Sequence, residues 1–280
     1  AHAGLAEQHR IVLLAPRKNL RHALDFALAS NDGIKLAVAT ERARRPNHFQ
    51  RRQEPPEGGL CPFCPGHEDK TPREVYVAGR PAAAPPDSSG WRVRVVPNRF
   101  PALMIEGDLD RQGEGIYDRM NGVGAHEVII ESPDHGRDLS ELSDPEVAEV
   151  LWAFKARVLD LRNDLRFRYI LLFKNQGSAA GATLEHAHSQ LIALPVTPRQ
   201  VVEELEGARR HYEHRERCIF CDMVGQERKD RSRLIYENEE FVVFAPWAPR
   251  GPFETWILPK RHESNFESEP KERLGLCAQA

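Results

Sequence analysis

The spacing Cys-x-x-Cys occurs twice in this chain, as Cys61-Pro62-Phe63-Cys64 and as Cys218-Ile219-Phe220-Cys221. The same order of features succeeds each pair, and that recurrence constrains the fold most. A strand-like run, a Pro-containing loop, another strand-like run, a loop with Pro shortly before His, and a helix come in turn. In the first copy the runs are Trp91 to Pro97 and His126 to Glu131, and the loop is Ser132-Pro133-Asp134-His135. In the second copy Leu234 to Glu237 and Phe241 to Ala245 flank an Asn-Glu-Glu turn. Phe253 to Leu258 then ends in Pro259-Lys260-Arg261-His262, and residues 266–280 read as the start of a helix. An order that repeats predicts two halves built alike. The boundary is expected between residues 197 and 198, giving units of 1–197 and 198–280.

The first copy runs further. Ser143 or Asp144 caps a helix with Pro145 in its first turn, and Val147, Val150, Leu151, Phe154, Val158 and Leu161 recur at helical spacing to about residue 163. The apolar run Tyr169 to Phe173 comes next, then a loop rich in Gly, Ser and Ala, then His186-Ala187-His188-Ser189-Gln190 leading into Leu191 to Leu194. The apolar tail and Pro195 predict a strand. Residues two apart on a strand share a face, so His186, His188 and Gln190 are expected on one side. Two imidazoles and an amide beside a loop with free backbone N–H groups suit phosphate chemistry; the alternative is a polar strand face that merely carries histidines. The counterpart of this stretch in the second copy would lie beyond Ala280, so that half is expected to be incomplete.

Four of the five cysteines sit in the two pairs, and no charged-then-apolar leader opens the sequence. That usage favours metal over disulfides. A Pro/Gly turn that aims two thiolates at one ion is half of a zinc site, while a redox pair or two buried thiols are the alternatives. Cys277 reads as a buried or half-exposed thiol. Net charge is −3, so there is no global basic field for nucleic acid. No apolar run approaches the roughly 20 residues of a membrane span, and a cytoplasmic location is the default expectation. Elsewhere Leu24 to Ala29 could be helical, Asn31-Asp32-Gly33 is a turn signal, and Ile34 to Ala39 reads as a strand. The basic cluster from Glu41 to Pro46 is either a solvated loop or an anion-binding segment. Residues 78–90 read as a flexible loop, 106–122 as a mobile insertion, and 198–217 as a charged helix.

Taken together, CPFC at 61–64, VPNRFPAL at 96–103, SPDH at 132–135, FKNQG at 173–177, HAHSQ at 186–190 and PFETWILPKRH at 252–262 resemble the galactose-1-phosphate uridylyltransferase family of the histidine-triad superfamily, including its ADP-glucose phosphorylase-like members. The motifs keep the family's order over roughly residues 34–262. Where the family usually has His-Pro-His-x-Gln, Ala187 stands in place of the Pro. The resemblance implies an α/β (α+β) fold of two histidine-triad-like halves, each an antiparallel sheet flanked by helices. It implies zinc on Cys61, Cys64, His135 and His186, with His126 a rival for one histidine, and a possible second metal site on Cys218, Cys221 and His262. It makes His188 the nucleophile of a ping-pong nucleotidyl transfer in galactose metabolism, between a nucleotide sugar (UDP-glucose or ADP-glucose) and a hexose 1-phosphate, with Gln190 beside it. A glutamine amide donates to phosphoryl oxygens but cannot act as an acid near neutral pH. Arg42, Arg45, Asn98, Asn175, Gly181 and Thr183 match substrate-binding positions, and a homodimer is expected. The alternatives are a phosphorylase of ADP-sugars or dinucleoside polyphosphates, and a zinc-stabilised nucleotide-binding protein without turnover.

Overall fold

A computed structural model describes residues 61–177, 180 and 182–280, together with the backbone of three short strands before them. Those strands are β1 (Arg10–Ile11), β2 (Ala29–Ser30) and β3 (Gly33–Ile34). β2 and β3 pair antiparallel, while Asn31 and Asp32 of the expected turn lie outside the described residues. Ala29, expected at the end of a helix, therefore lies in a strand. The strand expected from Ile34 to Ala39 falls outside the described residues beyond Ile34, as do Arg42 and Arg45.

Branched and apolar runs form the remaining strands of the first half: β4 (Tyr76–Ala78), β5 (Val93–Pro97), β8 (Ala125–Ile130), β9 (Tyr169–Phe173) and β10 (His188–Leu194). Between β5 and β8, within the expected insertion at 106–122, lies a short exposed hairpin of β6 (Gln112–Glu114) and β7 (Tyr117–Arg119). The main sheet has the order β1-β9-β10-β8-β5-β4, antiparallel throughout except where β1 meets β9.

Strand alternation splits this sheet into two faces. Val93, Val95, Ile129, Leu172, Leu191 and Ala193 face helix α1 (Asp144–Leu161) and meet its stripe of Val150, Ala153, Phe154, Val158 and Leu161. Ser143 caps that helix with Glu146, whose carboxylate accepts from the Ser143 N–H and hydroxyl at 2.8 and 2.7 Å. One charge enters the apolar stripe. Buried Arg157 reaches back to Glu127 on β8 through two hydrogen bonds of 2.8 and 2.7 Å. On the opposite face Val96, Val128 and Ile130 meet Phe63 and Trp91, while Ile192 and Leu194 meet Leu103 and Tyr169. This second face carries the polar residues of β10.

Helix α2 (Arg199–Arg215) leads to the second half, which holds α3 (Ile219–Asp230), β11 (Leu234–Glu237), β12 (Phe241–Phe244), β13 (Trp256–Pro259) and α4 (Lys271–Ala278). Strand order β11-β12-β13 repeats β4-β5-β8, again antiparallel. The strand expected from Phe253 starts only at Trp256, because Phe253 has φ 62° and is 95% exposed. Helix α4 packs on α1. Lys155 on α1 donates to the Glu269 carbonyl at 2.6 Å, and Arg162 pairs with buried Glu267. The fold is a mixed α+β architecture of antiparallel sheets flanked by helices.

Candidate active site and metal centre

The first Cys-x-x-Cys is a tight turn in which Cys64 N–H donates to the Cys61 carbonyl at 3.3 Å. Buried Glu68 holds that turn from below, accepting from Gly66 N–H at 2.9 Å and from Trp91 Nε1–H at 2.8 Å. His67 adds a bond from Nδ1 to the Cys61 carbonyl at 2.9 Å. Both thiols therefore point to one side. Cys64 Sγ lies 3.4 Å from His135 Nδ1 and 3.6 Å from His186 Nδ1, and Cys61 Sγ lies 3.8 Å from His186 Nδ1. The four donor atoms all fall within 4.8 Å of one another.

Those distances can be tested against zinc. Bond lengths of about 2.3 Å to sulfur and 2.0 Å to nitrogen, at tetrahedral angles, put sulfur and nitrogen about 3.5 Å apart. The three observed separations bracket that value. The tautomer fits as well. His186 Nε2–H donates to the Ser132 carbonyl at 2.8 Å, which leaves the Nδ1 lone pair toward the cysteines. Burial pushes the fully buried His186 ring below its usual pKa, outweighing the bond to the Ser132 carbonyl. Burial and the neighbouring Cys61 push the Cys64 thiol up to about 11, so thiolate ligands there need a cation between them. The residues present fit a closed four-coordinate zinc site.

One sequence expectation changes here. His186 does not share the strand with His188: β10 begins at His188. The Glu131 N–H still reaches the Ala187 carbonyl at 3.3 Å, but His186 has already bent toward the cysteines and the Ser132 carbonyl. His188 and Gln190 do share the face opposite α1, while Ser189 between them turns inward to buried Glu131. Lys174, the first residue after β9, caps the same Glu131 carboxylate at 2.7 Å.

His188 is 8% exposed and lies edge-on to Phe63, with ring centroids 5.4 Å apart. Its Nδ1–H donates to the His186 carbonyl at 2.8 Å, so Nε2 carries the lone pair. Burial lowers its pKa, which favours the neutral ring. Gln190 accepts through Oε1 from His126 Nε2 at 2.9 Å. His126 also receives the Ala102 N–H on Nδ1 at 3.1 Å. Both its nitrogens are thereby engaged away from the cysteines. It is not one of the four clustered donors and is a satisfied polar residue of β8.

Asn98 sits beside this pair, with its Oδ1 accepting the Phe100 N–H at 2.9 Å and its Nδ2 3.1 Å from His126 Nε2. Half-buried Asn175 and exposed Thr183 lie in the loop between β9 and β10, where Gly177 (φ 73°) makes the left-handed turn and its carbonyl accepts from the Ala180 and Ala182 N–H groups. Gly181 lies outside the described residues. Sequence reading missed the supporting parts: Glu68, Glu131 and Lys174. Strand parity signals Glu131 and Lys174, nothing local signals Glu68, which lies in a short 3-10 turn, and none is in itself a motif.

The second knuckle is built differently. Cys218 caps α3 and Cys221 lies in its first turn. The outcome is nonetheless alike, with Cys221 Sγ 3.3 Å from His262 Nδ1, against 3.4 Å for Cys64 and His135. Cys218, Cys221 and His262 bring three donors together. Burial and Cys218 push the Cys221 thiol up to about 11.

Residues 27–198 match the family model described as galactose-1-phosphate uridyl transferase, N-terminal domain. An ADP-glucose phosphorylase of Arabidopsis thaliana is 36% identical over 230 residues, covering 80% of this chain and 62% of that protein. A galactose-1-phosphate uridylyltransferase of Thermotoga maritima is 27% identical over 224 residues, covering 80% of this chain and 64% of that protein. The chain thus spans somewhat under two thirds of the length of these relatives. The crystal structure of an ADP-glucose phosphorylase from Arabidopsis thaliana with bound ADP-glucose superposes with a TM-score of 0.68 at 33% identity, over 85% of this chain and 68% of that one. Among the described residues no helix is long and apolar enough to cross a membrane.

Proposed function

The chain belongs to the galactose-1-phosphate uridylyltransferase family, and on that premise we propose that it transfers a nucleoside monophosphate from a nucleotide sugar to a phosphorylated acceptor through a covalent adduct on His188. One observation carries the reading: a buried imidazole whose Nδ1–H is held by the His186 carbonyl, which leaves the lone pair on Nε2. Nε2 attacks the α-phosphorus, the phosphorus–oxygen bond to the sugar phosphate breaks, and sugar 1-phosphate leaves with the electron pair. The positive charge on the nucleotidylated ring is stabilised by the Nδ1–H bond to the His186 carbonyl. A phosphate oxygen of the acceptor then attacks the same phosphorus and Nε2 leaves. No proton has to be delivered to either leaving group, which suits Gln190, an amide that donates but does not titrate.

Around this step Cys61, Cys64, His135 and His186 would hold a structural zinc that takes no part in the chemistry and fixes the bend before β10. Cys218, Cys221 and His262 would take a second ion. Asn98, Asn175, Thr183 and Gln190 would line the substrate, with Arg42, Arg45 and Gly181 contributing from outside the described residues. Units of 1–197 and 198–280 would be the two related halves.

Two acceptors fit this scheme. A hexose 1-phosphate acceptor makes the protein a uridylyltransferase. Inorganic phosphate makes it a phosphorylase of ADP-sugars, and the 36% identity to a protein of that name favours testing it alongside. Incubation with UDP-glucose or ADP-glucose, digestion near neutral pH and peptide mass spectrometry should place the adduct on His188, and the acceptor that discharges it identifies the activity. His188→Ala should lose the adduct and keep its metal, whereas His186→Ala should lose metal and stability together. An adduct elsewhere, or full turnover in His188→Ala, refutes the assignment.

A further inference from the structure

Gln190 is useful to the proposed transfer, on which this inference rests, only if its NH2 end faces the phosphoryl oxygens. An amide is nearly symmetrical in shape, so something must choose between its two orientations. We infer that His126 on β8 is the positioning residue that makes this choice.

A backbone donor sets the direction, because a peptide N–H cannot change its role. Ala102 N–H points at His126 Nδ1 at 3.1 Å, so Nδ1 must be the acceptor nitrogen of the ring. A neutral imidazole with a lone pair on Nδ1 carries its proton on Nε2. That N–H faces the Gln190 amide oxygen at 2.9 Å. A Gln190 turned the other way would set its NH2 against the His126 N–H, two donors face to face in a half-buried site, at the cost of an unmade hydrogen bond. The chain from a peptide N–H through one imidazole to one amide therefore fixes the direction of the amide. Among the described residues the Gln190 NH2 has no protein acceptor, so both its N–H bonds remain for a ligand.

The sheet supplies the reach. Ile192 on β10 is the direct partner of His126 on β8, and Gln190 is the direct partner of Val128, so His126 and Gln190 are diagonal neighbours on one face. Asn98 closes the far side. Its orientation is set by the Phe100 N–H on Oδ1, and its Nδ2 then flanks the His126 Nε2 without being able to use it as an acceptor. The turn after β5 places these backbone groups: Asn98 N–H donates to the His126 carbonyl at 2.7 Å, which locks the segment 98–102 against the start of β8. His126 contributes no ligand to the metal cluster. Its role is exerted through Gln190 and not through the ion.

A double-mutant cycle tests this. His126→Phe keeps a ring and removes both nitrogen atoms. It should slow adduct formation on His188 between about tenfold and a hundredfold, the range expected when one charge-assisted hydrogen bond to the transferring group is lost. Metal content should not change. In a Gln190→Ala background the same substitution should have no further effect, because the group through which His126 acts is gone. An unchanged rate in His126→Phe, or an equal loss in both backgrounds, overturns the inference. Should His126→Phe fail to fold, His126→Gln carries the same cycle and should retain much of the rate, since its amide can still present an N–H to Gln190. Nitrogen NMR of the imidazole reads the arrangement without any turnover: Nε2 must be the protonated nitrogen, and a proton on Nδ1 refutes the inference even if no nucleotide adduct forms. Absence of an adduct in the unaltered protein, with the expected tautomer present, would instead count against the transfer reading alone.

Discussion

Replacing Cys64 by serine should remove one metal ion and about 4 kcal/mol of stability. Cys64 is the informative position because its sulfur faces both histidines, His135 at 3.4 Å and His186 at 3.6 Å. The magnitude can be reached by two routes. As a cross-link, an ion joining Cys64 to His135 closes a loop spanning 71 positions, and chain-entropy arguments give about 4 kcal/mol for a loop of that size. As a ligand, an ion present at about a thousand times its Kd, and bound only by the folded chain, stabilises by about 4 kcal/mol. For a domain of this size each kcal/mol moves the melting temperature by about 2–4 °C, so Cys64→Ser should melt about 8–16 °C lower. Elemental analysis of the purified variant should show one ion fewer per chain than the parent, while Cys221→Ser removes only what the second cluster holds. A chelator should lower the parent's melting point toward that of the variant. Metal content equal in parent and variant, or melting points within about 2 °C, would refute the assignment of the four donors to one ion.

Three further outcomes rest on the packing. Glu127→Gln leaves buried Arg157 facing a neutral amide in the sheet–helix core, with exposed Asp160 at 3.0 Å as its remaining carboxylate, and should cost about 1–3 kcal/mol in urea unfolding; an unchanged stability would show that Asp160 alone compensates the charge. Gly124→Ala puts a methyl group 2.4 Å from the Ala193 carbonyl oxygen and 2.6 Å from Leu103 Cδ1, so β8 must shift and stability should fall by about 1–3 kcal/mol; an unchanged melting point would contradict the close approach. Glu74 is held below its usual pKa of 4.5, because bonds from Arg80, the Asp87 N–H and Arg94 outweigh the upward push of burial. A depressed carboxylate contributes stability above its unfolded pKa, and that contribution is lost as pH falls through the lower folded value. The gap in stability between parent and Glu74→Gln should therefore be full at pH 6 and should shrink below pH 4.5; parallel pH curves would refute it.

Much of this was legible in the sequence because each motif is local. Two cysteines three positions apart in a Pro/Gly turn can hardly point apart, and Pro145 after Ser143 starts a helix wherever it lies. The likeness of β4-β5-β8 to β11-β12-β13 was legible because each of these trios pairs in chain order. What remained hidden was non-local. That His186 leaves the strand depends on the Ser132 carbonyl, 54 positions away, and no period within β10 signals it. Phe253 belongs by composition to the strand after it, yet its positive φ delays that strand to Trp256. The insertion at 106–122 carries Gly and Asp throughout, and its hairpin turns on Gly115 with φ 62°, which polar composition alone does not separate from an irregular loop. Glu68, Glu131 and Lys174 look like surface charges until the fold buries their partners.

The rigidity expected from a proline between two site histidines is supplied here, around Ala187, from outside the tripeptide. His186 is tied at both nitrogens, to the Ser132 carbonyl and to the cysteine sulfurs. The Ala187 carbonyl takes the Glu131 N–H, and His188 Nδ1–H takes the carbonyl of His186. Ser189 and Lys174 then share the Glu131 carboxylate on the helix side of the sheet. Residues 131 and 132, after the end of β8, therefore hold the bend, the start of β10 and the first residue of the loop after β9 at once. Proline restricts one φ angle. This network restricts the side chains of His186, His188, Ser189 and Lys174, and its Ser189 and Lys174 bonds lie on the inward face, leaving the outward face of β10 to His188 and Gln190. Alternation on a single strand is what allows the same short stretch to serve both purposes.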